Sequence, residues 1–237
     1  GFEDVKGSNY FSSRKEYAPY ISWWGLTDRK LFEYALEYLQ ENKDNKTFLT
    51  LLTVDTHVPL GRLDYLDHTY QETQAEFYDQ PTLPRAFSRA GQDVEIFLKN
   101  LQEKGLFDDD TLIILTADHP NFSNTPTNKL FKNFQTVFDR VPFAVITKDQ
   151  INRPLLQNDL TSQLDVAPTI LDLLNLPQPK GFFGHSLFDI SAQRSIFDIK
   201  EDYVKITTQD GEKIIPLNSQ KEADQAELSL IGTMWVD

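Results

Sequence analysis

The chain has 237 residues, of which 25% are charged and 40% hydrophobic, with a net charge of −13 and no cysteine. That length can bury a substantial core, and the composition belongs to ordinary folded proteins and not to disordered ones. The negative balance argues against nonspecific binding to nucleic acid or to an anionic membrane surface. The missing cysteines exclude disulfides, thiolate metal sites and cysteine nucleophiles.

In chain order, residues 1–20 are aromatic and polar without clear periodicity and read as loop with short elements. Trp23-Trp24-Gly25-Leu26-Thr27-Asp28 then leads into a helix that Thr27 or Asp28 can N-cap. Leu31, Phe32, Tyr34, Ala35, Leu36, Tyr38 and Leu39 supply its apolar stripe, which runs to Asn42. Residues 47–54 are apolar and rich in threonine, which predicts a strand, and the strand ends on Asp55-Thr56-His57-Val58-Pro59. The long acidic and aromatic stretch 60–84 reads as a loop forming the rim of a site. An amphipathic helix is expected over 85–104, with Phe87, Ala90, Val94, Phe97, Leu98 and Leu101 facing inward. The apolar run that opens at Thr111 predicts a second strand, buried on both faces, which stops at Asp118-His119-Pro120.

Two strands joined through a helix predict a βαβ unit with both strands parallel. In an open α/β sheet, ligands bind outside the carboxyl ends of the strands. Each expected strand here ends on an aspartate followed within two residues by a histidine, so a carboxylate oxygen and an imidazole nitrogen would face one crevice. That donor pair suits a divalent metal. The bland alternative is that Asp55 and Asp118 cap strand ends and that His57 and His119 are turn histidines satisfied by neighbours.

Residues 122–139 are polar with scattered phenylalanine, and 141–146 predict a third strand with Pro142 near its start. Residues 159–174 read as a cap, a turn served by Asp165, and a helix with Pro168 in its first turn. Gly181 to Phe188 is a glycine-bracketed loop carrying His185. Residues 202–208 and 213–217 alternate as strands joined through Gln209-Asp210-Gly211-Glu212, a hairpin signal. The chain reads as one domain over 1–190 with a small β-rich extension of the same domain over 191–237.

Taken together, WWGLTDRKLFEYAL, LLTVDTHVP, LQEKGLFDDDTLIILTADH, VPFAVI, SQLDVAPTILDLLNL and GHSLF resemble the phosphoglycerol transferase/sulfatase branch of the alkaline phosphatase superfamily. The likeness is nearest to the phosphoglycerol transferase I type and more distant to lipoteichoic acid synthases. It implies an α/β fold with a mostly parallel sheet between helices and a small C-terminal antiparallel portion. It also implies a phosphodiesterase or transferase that acts on a phospholipid head group and a glycan acceptor, with sulfatase, phosphatase or phosphonate hydrolase activity as the sister possibilities. A non-catalytic remnant that binds glycan or phospholipid is the alternative of a different class.

Carried over residue by residue, the resemblance places Asp118 and His119 at the metal pair, binding Mn²⁺ or Zn²⁺, with Mg²⁺ or Ca²⁺ possible. His57 falls at a phosphate-side position with Asp55 beside it, and His185 at a polar position of the Gly-His-Ser-Leu stretch. The nucleophilic Thr or Ser and the first metal carboxylate lie upstream in this family, so the chain is expected to be the C-terminal part of the catalytic domain and inert alone. The resemblance further implies a periplasmic or extracellular face of a bacterial membrane, with membrane contact only through segments beyond this chain.

Overall fold

Helix α2 (Asp28–Glu41) forms where the sequence placed it, because its apolar positions recur every three to four residues and it contains neither glycine nor proline. Its stripe meets helix α3 (Thr82–Glu103). Phe32, Ala35 and Leu36 of α2 bury against Phe97 and Leu101 of α3, with Phe32 and Phe97 stacked at 4.8 Å between ring centroids. A buried ion pair joins the same helices, Arg29 Nε donating to Asp93 Oδ1 at 2.8 Å. Helix α3 ends on a glycine in the left-handed region, Gly105 at φ 66°. There the Gly105 amide donates to Gln102 O and the Leu106 amide to Leu101 O, the paired bonds that close a helix C-terminus.

The structure, a computed structural model, describes residues 2–22, 24–57, 82–120, 140–149, 151–153, 160–199 and 201–233. They fall into two compact units, Gly1–Gln150 and Ile151–Asp237. In the first unit, the opening segment is short elements as expected: helix α1 (Ser8–Ser12) and a 3₁₀ turn (Ala18–Tyr20), with Phe11 edge-on to Tyr10, Tyr17 and Tyr34. Strands β1 (Ile113–Thr116) and β2 (Phe143–Ile146) pair antiparallel, Ile113 opposite Ile146.

Several expectations need correction in this unit. Residues 47–54 form no strand, and every ladder among the described residues is antiparallel, so the expected parallel βαβ pairing is not among them. A β-rich sequence only fits a pleated surface; a strand exists once a neighbour takes up its amide and carbonyl groups. With no such neighbour among the described residues, Phe48 and Leu52 are 68% and 69% exposed, while Leu51 reaches the α2–α3 core. Strand β1 is likewise not buried on both faces: Ile113 packs on the core, but Leu115 and Thr116 are exposed. Phe87, expected to face inward from α3, is exposed, and Ala86 takes the buried place. Of the stretch 60–84 expected as a rim loop, 60–81 lies outside the described residues, as does the covering segment 122–139, while 82–84 open helix α3 and are not loop.

The second unit holds a 3₁₀ turn (Gln163–Asp165), helix α4 (Val166–Leu173), strands β3 (Ile196–Ile199), β4 (Tyr203–Thr208) and β5 (Gly211–Pro216), and helix α5 (Glu222–Thr233). Asp165 serves the turn before α4 as expected, and there it closes a capping box: the Ser162 hydroxyl accepts the Leu164 amide, and Asp165 Oδ2 accepts the Ser162 amide. The hairpin of β4 and β5 closes with Thr208 opposite Gly211, and β3 adds an antiparallel edge that the sequence did not announce. Val204 and Ile206 alternate onto the buried face with Ile215, and Leu228 of α5 packs against them. Helices and small sheets thus make an α/β molecule.

Candidate functional site

The first candidate group is built on the link between the start of α2 and the turn at residues 54–57. Thr27 occupies the N-cap position of α2 but makes no side-chain capping bond, and Asp28 does not cap either. Asp28 is completely buried and turns its carboxylate away from its own helix. Its Oδ1 accepts the amides of Val54 at 2.7 Å and Asp55 at 3.1 Å. In return Asp55 Oδ2 accepts the Asp28 amide at 2.9 Å, so the helix N-terminus is capped by a residue distant in sequence. Burial, with the Asp55 carboxylate beside it, pushes the Asp28 carboxyl up to about 7, although the two amides pull the other way. Asp55 is raised too, first by its burial.

The turn so held ends on His57, whose amide donates to Val54 O at 3.0 Å. Its imidazole lies 4.0 Å from the Trp24 ring, centroid to centroid, with the planes 44° apart. Trp24 sits on a tight turn fastened by the Ser22 amide donating to Gly25 O at 2.7 Å, and the flanking residues Ile21 and Leu26 bridge. The spacing of Asp28 and Asp55 carries no motif, so reading the chain in order could not pair them.

The second group stands just past the carboxyl end of β1. His119 Nδ1 lies 2.8 Å from Pro120 O, a carbonyl that can only accept, and Nε2 faces Asp118 Oδ2 at 3.7 Å. The tautomer with its proton on Nδ1 satisfies the first contact and would leave Nε2 as the metal-binding nitrogen. Two ligands each ~2.1 Å from one shared ion sit roughly 3–3.5 Å apart, so a small adjustment would let both bind it. A backbone carbonyl that fixes the far nitrogen is the orienting partner typical of metal-bound histidines. Both side chains are well exposed, as an accessible ligand pair requires. They amount to part of a shell: among the described residues no group of three or more His, Asp or Glu is placed to hold a metal ion.

His185 lies in the second unit, where its backbone is anchored rather than its ring. Its amide donates to Asp165 Oδ1 at 2.8 Å, and its carbonyl accepts Arg194 Nη1 at 3.3 Å. Arg194 is buried, pairs with Asp165 Oδ1 at 3.0 Å and also binds Ser186 O and Asp189 O. Asp172, held low by the bidentate Arg153 guanidinium, accepts the Ser186 hydroxyl as well. The arginine at position 194 was missed, because a lone arginine in a loop has no pattern to mark it. The Gly-His-Ser-Leu stretch is therefore clamped at its backbone from two sides.

The family model described as Sulfatase matches residues 1–176. The structure is similar to a crystal structure of a protein in the alkaline phosphatase superfamily from Vibrio parahaemolyticus, with a TM-score of 0.63 at 16% identity. The match covers 100% of this chain but 61% of the Vibrio chain. No curated protein matches.

Proposed function

Since the chain belongs to the sulfatase family and shares the fold of the alkaline phosphatase superfamily, we propose that it serves a metal-dependent phosphodiesterase or phosphoglycerol transferase. Its substrates would be a phospholipid head group and a glycan acceptor, and it would work at the periplasmic or outer face of a bacterial membrane. The observation that carries the reading is the oriented Asp118–His119 pair, with Nδ1 against the Pro120 carbonyl and Nε2 turned toward Oδ2. Enzymes of this superfamily typically use divalent metals, and this pair supplies the donor chemistry for one.

A bound cation there would neutralise phosphoryl charge and lower the pKa of an attacking hydroxyl. Asp118 and His119 would hold it as part of a larger ligand set. His57 would donate a hydrogen bond on the phosphate side or assist the departing alcohol, with Asp55 fixing its turn. The sulfatase family match also favours a second reading, a sulfate ester in place of the phosphodiester.

The test uses the longest product of the gene with bis(p-nitrophenyl) phosphate and p-nitrophenyl sulfate, with Mn²⁺ or Zn²⁺ and after chelation. We expect turnover of the phosphodiester, loss on chelation, and a drop of at least about 100-fold in His119→Ala. Calorimetric titration of Mn²⁺ into the same proteins should show weakened binding in that variant. Metal binding and turnover untouched by His119→Ala would sink the assignment, and turnover of the sulfate alone would favour the second reading.

A further inference from the structure

A carboxylate is expensive to bury, and a packed apolar side chain would join a helix to a turn more cheaply. Asp28 is nevertheless fully buried, and its Oδ1 takes two consecutive amides, Val54 and Asp55. Two bonds from one oxygen to adjacent amides set the direction of the turn and not merely its distance. Asp55 answers with a bond to the Asp28 amide, so the clasp is reciprocal. Asp28 Oδ2 and Asp55 Oδ1 are both buried with no hydrogen-bond partner among the described residues.

We propose that Asp28 is a positioning residue for His57: by fixing the 54–57 turn it holds the imidazole against Trp24, at the angle from which the ring meets its ligand. The proposal rests on the phosphate-side role given to His57 above. Trp24 and Asp28 lie four residues apart at the entry to α2, so the clasp ties the two faces of the imidazole's surroundings to one helix end. The charged groups facing the clasp from α3 are Asp93 and Arg89; Asp93 is held by Arg29 of α2, and His57 follows on the turn itself. Burial that favours the protonated form of both aspartates supports a pair kept close against its own repulsion.

The experiment is nuclear Overhauser spectroscopy on the full chain, reading cross-peaks between the Trp24 indole and the His57 imidazole. Cross-peaks between Phe32 and Phe97 report that the α2–α3 core is intact. Asp28→Ala should lose the Trp24–His57 peaks and keep the core peaks. Asp28→Asn, which retains the accepting oxygen, should keep both. Trp24–His57 peaks that persist in Asp28→Ala would overturn the proposal, and so would their loss in Asp28→Asn with the core intact. If Asp28→Ala does not fold, Asp28→Glu displaces the carboxylate by one methylene and should weaken the peaks; undiminished peaks would again overturn it. Glycerol phosphate binding separates the two claims. His57→Ala and Asp28→Ala should each weaken it about tenfold. Unchanged affinity in His57→Ala would remove the phosphate role of His57, while the cross-peaks would still decide the role of Asp28.

Discussion

Asp165 and Asp28 both stand at the entrance of a helix, and only the first does what that position suggests. Asp165 completes a capping box with Ser162 three residues earlier, a local spacing that can be read along the chain. Asp28 reaches across to amides that lie 26 and 27 residues away. Its raised carboxyl has a measurable consequence. Between the ordinary value of 3.8 and about 7, the folded state binds a proton that the unfolded chain has already released. This group therefore adds stability at low pH and loses it as the pH rises through about 7. In Asp28→Asn, denaturant unfolding measured across that window should show a flatter pH dependence; an unchanged slope would contradict the raised value. Gly184 poses a different constraint, since a Cβ there would lie 2.0 Å from Leu164 O, a backbone atom that cannot swing away. Gly184→Ala should destabilise the second unit by about 3 kcal/mol, read from thermal unfolding.

At the scale of elements, residues 47–54 and 203–216 look alike as sequence, both β-branched and bounded by turn residues, yet only the second makes strands. The difference lies in the partner. The tail has a two-residue turn at Gln209 and Asp210 that folds one strand onto the next, so its register is set locally. Residues 47–54 have no such turn, and their pairing depends on whatever chain lies alongside. The helices were legible because an amphipathic stripe specifies its buried face without naming the partner. That face can be tested against the exposed one. Phe97→Ala empties the stack with Phe32 and should lower stability by about 3–5 kcal/mol. Phe48→Ser, at a side chain 68% exposed, should change it by less than about 0.5 kcal/mol, and a larger loss in chemical denaturation would mean that residue 48 is covered in solution.

For the whole molecule, the net charge of −13 is a property that no fold can hide. The chain should pass unretained through heparin at low salt and bind an anion exchanger; retention on heparin would reveal a basic face that the composition does not suggest. Order along the chain carried the family likeness, and the α/β class, the α2 and α3 helices, the turn served by Asp165 and the C-terminal hairpin were all readable from it. Asp118 and His119 were readable as a pair because they are adjacent, and the structure added the orientation of the imidazole. Helix periodicity, the turn at Ser162–Asp165, the hairpin turn and the charge were determined by the sequence itself, because those signals act within a few residues, whereas the cap of α2 was not. The antiparallel pairing of β1 with β2, the clasp of Asp28 with Asp55 and the buried Arg194–Asp165 pair were decided only by tertiary structure. Each joins groups far apart along the chain, and their energies come from burial and hydrogen-bond geometry that exist only once the chain has folded.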